Sequence, residues 1–422
     1  MAARSRVFSK PCNEQFLKKL SNPLVVPKLS RFNVELNCEP LALTGSVLQK
    51  ANVTLTELWE HCNGVAHGLD ANMVMIGTLP LLRDEDLTIE NMSSSKRFEA
   101  LNSEILRQRD GRPLVINIEG EESLFSKHDD VMMEAAATSF QVHLKTPASV
   151  AHRYYNASII AAGPLLSACV NAPYLFGHSL WSETRIPIFE QSIALSDYEG
   201  GCGRVSFGSG YANETLFEVL EENLTSYPIL LPFHFDDPAH RGSHLRLHNG
   251  TIWRWNRPLI GFEADGTPHF RIEHRTLPAG PTIIDMIANA ACYFGLVRAI
   301  VDSGIDETGE LSFDDARFNF YQAAKQGLDA QLTWPGGKTV SARGLMLDEI
   351  IPAAHRGLAA FDVDQEDRDL FLGVLEARVQ SGQTGAAWQR AELNRRNGNI
   401  FEMMSVYCEC QRSGIPVHQW KL

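Results

Sequence analysis

Three short segments of this chain alternate apolar and polar residues with a period of two, and in each the polar side carries groups that can do chemistry. In residues 31–37, Phe32, Val34 and Leu36 oppose Arg31, Asn33, Glu35 and Asn37. In 139–145, Phe140, Val142 and Leu144 oppose Ser139, Gln141, His143 and Lys145. In 269–275, Phe270 and Ile272 oppose His269, Arg271, Glu273 and Arg275. Side chains along a strand point alternately to opposite faces, so each segment predicts a half-buried strand with its apolar side against a core. The polar sides admit two readings. They are the wet surface of a sheet, or the concave floor of a site. On such a floor, carboxylates, an imidazole and arginines could hold Mg2+ and phosphate, because Mg2+ prefers oxygen ligands and shares them with phosphates.

Helical signals dominate after about residue 280. Thr282 followed by Asp285, and Ser312 followed by Asp315, are capping-box patterns. Behind the second, Phe313, Ala316, Phe320 and Ala324 share one helical face. Residues 367–378 and 386–396 read as helices too. Earlier in the chain, helices are expected over 54–67, 95–107 and 147–161, the last ending near Gly163-Pro164. Met73–Ile76 reads as a short buried strand stopped by Gly77-Thr78-Leu79-Pro80. Strands first and helices afterwards predict an α+β fold. Its expected form is a curved, mainly antiparallel sheet with a polar concave face, helices packed on the other face, and a helical C-terminal part. A catalytic core over residues 1–330 and a mainly helical extension over 331–422 packed on it are the expected units.

With 422 residues, 44% of them hydrophobic and 21% charged, the chain can bury a large core. Its net charge of −13 excludes holding nucleic acid by bulk charge. A small polyanion would have to be met by a few placed arginines or by a metal. Only Cys408 and Cys410 of the eight cysteines stand close together, which is no disulfide framework and points to a reduced, cytoplasmic protein. The N-terminal stretch lacks the apolar segment of a secretory signal. The apolar stretches 157–170 and 283–301 are interrupted by Gly163-Pro164 in one and by Asp285, Asn289 and Arg298 in the other, so neither is read as a membrane span. His234, Asp236, Asp237, His240, His244 and His248 resemble a metal cluster in composition but not in spacing. The glycines of 200–210 lack the Lys-Ser/Thr of a P-loop, no G-x-S-x-G elbow is present, and His128-Asp129-Asp130 reads as helix capping. Any strand edge left unpaired would have to be covered by another segment, paired with a second copy of the chain, or left open to aggregation.

Glu273-His274-Arg275, with the run from Thr276 to Leu296, resembles the E-x-R strand and following helix of the type 2 glutamate–cysteine ligase family. These are carboxylate–amine ligases related in fold to glutamine synthetase. Residues 140–144 resemble the family's H-V-H strand, and segments 77–80, 171–177, 181–185 and 248–257 follow in the family's order. The resemblance spans most of residues 20–330. It implies ATP-dependent amide formation: a substrate carboxylate attacks the γ-phosphate, and an amine displaces phosphate from the resulting acyl phosphate. It implies amino acids as partners, ATP and Mg2+ as cofactors, and γ-glutamylcysteine, a step of glutathione biosynthesis, as product.

By motif position the resemblance makes Glu35 and Glu273 metal ligands, and Gln141 or His143 a further metal-binding residue. It lets Arg275 reach phosphate and casts Arg185 and Arg257 as clamps on substrate or phosphate. Two departures stand out. No E-x-E pair, which the family carries on an opening strand, precedes Arg31. Lys28, seven residues before Glu35, stands where relatives tend to carry an acidic residue. A ligase, impaired by these departures, is the first reading. A non-catalytic homologue that binds nucleotide or amino acid is the second, and a metal-dependent hydrolase using the histidines of 234–248 the third.

Overall fold

Two long apolar helices, Ala151–Cys169 and Ile283–Asp302, pass through the middle of the protein and touch each other. The computed structural model describes residues 9–195, 203–303 and 307–422; Gly200, Gly201 and Cys202 lie outside the described residues. Seventeen of the nineteen residues of the first helix are buried. It runs on past Gly163-Pro164, where the sequence suggests a stop. Pro164 removes one backbone donor, but Gly163 lets the helix lie directly against Asn319 and Phe320; a Cβ there would come within 2.8 Å of the Asn319 Cβ. Packing on all sides outweighs the missing hydrogen bond.

The second helix begins as its capping pattern predicts, with the Thr282 side chain accepting from the Asp285 N–H. It has the length and hydropathy of a membrane span, yet its most apolar stretch is 72% buried among its neighbours. Its closest neighbour is the helix Ile351–Ala360, which crosses it at Gly295 and Gly357. A Cβ on Gly357 would fall 1.8 Å from the Gly295 carbonyl oxygen, so only glycine permits this backbone approach.

Around these helices the strands pair in small sheets, nearly all antiparallel, as an α+β class requires. The largest has three strands: Val142–Thr146, Pro268–His274 and Asn256–Phe262, with Pro268–His274 in the middle. Val142, Leu144 and Ile272 are buried on its inner side, as their alternation predicts. The expectation of one continuous curved sheet needs correction. Glu35 lies on Val34–Leu36, which pairs with Val25–Pro27 in a separate two-stranded hairpin. Only three of the seven residues in that alternating stretch are strand; Arg31–Asn33 form the turn that brings Asn33 N–H onto the Ser30 carbonyl.

Met73–Ile76 is extended but has no strand partner among the described residues. Its backbone is satisfied from the helix Ile400–Arg412 instead. Gln411 accepts from the Met75 N–H (3.0 Å) and donates to the Met75 carbonyl (2.7 Å), and the Tyr407 hydroxyl donates to the same carbonyl (2.9 Å). Side chains more than 300 residues away do here what a neighbouring strand would do.

The C-terminal helices are tied to the centre by one buried ion pair. Arg378, on the helix Gln365–Ser381, donates to Asp285 (2.8 Å), to Asn289 (2.6 Å) and to the Ala168 carbonyl (3.2 Å). Asp285 and Arg378 are both essentially inaccessible. Removing one partner of such a pair leaves a buried charge uncompensated. We predict that Arg378→Leu lowers unfolding free energy by about 3–5 kcal/mol in denaturant titration, and that adding Asp285→Leu recovers much of the loss.

Candidate active site

The polar face of the three-stranded sheet is organised in rows. Register places Arg257, Glu273 and His143 side by side on the three strands. Just past the ladder, Arg275 N–H donates to the Trp255 carbonyl (2.9 Å). Alternation therefore does bring Gln141, His143, Glu273, Arg257 and Arg275 together. Glu273 is the hub, with only 3% of its surface exposed. Its Oε2 accepts from Arg257 Nε (2.7 Å) and Arg275 Nη1 (3.0 Å). Its Oε1 lies 3.5 Å from His143 Nε2. The Gln141 amide, oriented to suit its neighbours, donates to that same Oε1 (3.0 Å) and accepts from Arg275 (3.2 Å).

Burial alone would raise the Glu273 pKa, but Arg275 and Arg257 outweigh it and hold the carboxyl well below the usual carboxylate range. His143, exposed at its outer edge, goes the other way. Desolvation lowers its pKa against the pull of Glu273, with the nearby arginines adding to the fall. Near neutral pH the row therefore holds a carboxylate, two guanidinium groups and a neutral imidazole.

Arg185 opens the helix Arg185–Ser192 and is buried beneath this row. It donates to Glu183 (3.1 Å), to the Arg275 carbonyl (3.3 Å) and to the Thr276 carbonyl, and its guanidinium lies over the Trp255 ring. It thus fixes the chain that carries Arg275. Beside it, Glu190 accepts from Trp255 Nε1 and from the Tyr321 hydroxyl, each at 2.8 Å. With no cation in its hydrogen-bond set, desolvation pushes this carboxyl up to about 7.

Arg275, Gln141 and Arg185 border a cavity of about 970 Å³. Its opposite wall is the hairpin of residues 25–36. There Lys28 Nζ lies 2.8 Å from Glu35 Oε2, a diagonal cross-strand pair with both side chains about one-third exposed. Glu35 lines this cavity whereas the buried Glu273 does not, and the two lie in unconnected sheets, so the expectation that both stand on one sheet surface needs correction. The alternation in sequence shows which side chains share a face, but not which strands share hydrogen bonds.

Sequence reasoning missed Glu134. It lies in the short 3-10 turn Met132–Ala136 and lines the same cavity. Asn33 holds the turn against the hairpin by donating to the Ala135 carbonyl (2.8 Å). Desolvation raises the Glu134 pKa, although Lys28 and Arg275 both pull it down. A lone carboxylate inside Val131-Met-Met-Glu134-Ala-Ala was the available signal.

Away from the strand face the cavity turns apolar, with Trp59, Met75, Met286 and Met404 among its lining. The histidine-rich 234–248 region lies outside it, and among the described residues no three His, Cys, Asp or Glu side chains gather as a metal-ligand set. Asp130 caps the turn after it, its Oδ1 accepting from Met132 N–H (2.9 Å).

The chain matches the model of glutamate–cysteine ligase family 2 over residues 12–406, and it belongs to that family. No curated protein matches it in sequence. Among solved structures, the Pup ligase PafA of the prokaryotic ubiquitin-like modification pathway, in complex with ADP, is similar at 11% identity and a TM-score of 0.35. That similarity covers 87% of this chain and 63% of PafA, so the chain spans less than two thirds of that protein. At this TM-score the likeness has no bearing on the site.

Two predictions follow from the geometry. Glu273→Gln conserves shape but leaves Arg257 and Arg275 facing each other in a buried place, so it costs roughly 3 kcal/mol or more of stability as well as any activity. Because the folded pKa of Glu273 is depressed, its stabilisation is complete above the unfolded carboxyl value of about 4.3 and is lost as pH falls below it. The stability gap between wild type and variant should therefore narrow in acid; a gap independent of pH would contradict the ion-pair account. Glu190 has the opposite sign. Its folded pKa is raised, so its contribution is present below about 4.3 and is lost as pH rises through about 7. Glu190→Gln, which keeps an acceptor for Trp255 and Tyr321, should gain a few degrees in Tm on wild type at about pH 8 and lose that advantage near pH 5.

Proposed function

We propose that the chain is an ATP-dependent carboxylate–amine ligase, and that Arg275 is the group that holds the transferred phosphate. One observation supports this most. Arg275 is fixed through Nη1 to Glu273, while its buried Nε has no hydrogen-bond partner, and the residue borders the cavity. A buried N–H without a partner is costly, and a planar guanidinium with a free edge matches two phosphate oxygens. The neighbouring Phe189 ring, 5.6 Å from the Arg275 guanidinium carbon, covers the group from one side.

In this reading a substrate carboxylate oxygen attacks the γ-phosphorus, and the bond to the ADP oxygen breaks. An amine then attacks the acyl carbon of the acyl phosphate, and inorganic phosphate leaves with the C–O bond electrons as the amide forms. Arg275 holds phosphate charge that shifts but does not disappear, which is where fixed donors are most effective. Arg257, Gln141 and Arg185 keep Arg275 in place. In this proposal glutamate is the carboxylate and cysteine the amine, giving γ-glutamylcysteine, a choice that the family's name supports.

The residues expected to hold Mg2+ do not fit it as arranged. Both Glu273 oxygens are engaged by Arg257, Arg275 and Gln141, and Glu35 is paired with Lys28. The Lys28–Glu35 pair also favours a second reading, a homologue that binds nucleotide without turnover.

The test is ADP and amide formation from ATP with a panel of amino-acid pairs, with and without Mg2+. The expected outcome is turnover that needs both a carboxylate and an amine substrate, highest with glutamate and cysteine. Arg275→Lys should cut kcat by about 100-fold or more, since an ammonium cannot make the two-pronged contact. Absence of amide product with every pair would leave only the binding reading.

A further inference from the structure

Glu35 and Glu273, the two carboxylates expected to hold a dication, are both engaged by cationic side chains of the chain itself. Glu273 is held between two guanidinium groups. Glu35 has an ammonium 2.8 Å from one oxygen. Glu134 stands within the fields of Lys28, Arg275 and Glu35. A Mg2+ ion placed on Glu35 would face the Lys28 charge at short range. Like charges at that separation repel, and a dication doubles the repulsion. The attraction a metal would exert on phosphate is already supplied, in part, by the chain.

Resting on the ligase reading above, we propose that Lys28 takes the place of a bound cation: the cavity binds the phosphates of a nucleoside diphosphate or triphosphate directly, between the Lys28 ammonium and the Arg275 guanidinium, without a divalent metal. The geometry of Lys28 suits this. It leaves the hairpin just after Val25–Pro27 and reaches diagonally to Glu35, which holds the ammonium at the cavity wall. An ammonium has three donors; one engages Glu35, and the others remain for phosphate oxygens. Asn33, two residues before Glu35, ties the hairpin to the turn carrying Glu134, and Lys28, Glu134 and Arg275 all line the one cavity. Glu134 lies among these charges.

The experiment is calorimetric titration of the full chain with ADP, once in excess EDTA and once in excess Mg2+. Quenching of tryptophan emission provides a second readout, because Trp59 and Trp255 line the cavity. The expected result is an affinity that agrees within about threefold between the two conditions, that is, within about 0.7 kcal/mol. Lys28→Met should weaken ADP binding in EDTA by about tenfold or more, with Tm little changed because the Lys28–Glu35 pair is partly exposed. Lys28→Glu, which sets two carboxylates side by side, should lose binding in EDTA and regain it when Mg2+ is added. The inference is overturned if wild-type affinity rises more than about tenfold with Mg2+, or if Lys28→Met binds ADP in EDTA as wild type does. In the first case the ligase reading survives with a metal restored to it. If ADP and ATP fail to bind in either condition, the ligase reading falls as well.

Discussion

The site depends on one carboxylate held by two guanidinium groups. Glu273 sits mid-row on the central strand of its sheet, with Arg257 on one neighbour and His143 on the other. Moving this much charge out of water is costly, and attraction offsets the cost only when geometry is close and the remaining lone pairs are filled. Here they are filled by Arg257, Arg275 and Gln141. The arrangement does more than neutralise Glu273. It fixes Arg275 by one nitrogen, and Arg185 fixes the Arg275 backbone by its carbonyl. The residue that faces the cavity is immobilised from beneath, as a phosphate-holding donor needs to be if it is not to reorganise during reaction.

Much of this is legible in sequence because a strand has a strict period. Gln141, His143, Glu273 and Arg275 could be placed on a common face from alternation alone, and the capping residues Thr282 and Ser312 act as their patterns suggest. Tertiary constraints are less visible. The sheet is divided because the Glu35 strand finds its partner in residues 25–27, a pairing that no local pattern specifies. Pro164 fails to end a helix because burial along its whole length overrides a local preference. Residues 73–76 avoid strand pairing because Tyr407 and Gln411, remote in the chain, satisfy their backbone. Glu134 was missed for the same kind of reason. Its importance comes from what the hairpin and Arg275 bring near it, and a single residue in an apolar run carries no period.

Family membership and local geometry meet at different levels. The family model covers nearly the whole described chain. The physical setting of the site residues is nevertheless this chain's own. On the hairpin wall an ammonium stands beside a carboxylate, while the strand face carries a carboxylate held between two guanidinium groups.

The contact between Met75 and the helix Ile400–Arg412 has a consequence in time. During synthesis the chain emerges from its N-terminus, so the 73–76 segment, the hairpin and the sheet are all made long before Tyr407 and Gln411 exist. Until the last helix docks, the Met75 backbone groups have only water as partner, and the cavity lacks the wall that contains Met404. Contacts spanning more than 300 residues are slow to close. The cavity therefore cannot be complete before the helix Ile400–Arg412 has been made and has docked, long after the polar strand face has been synthesised.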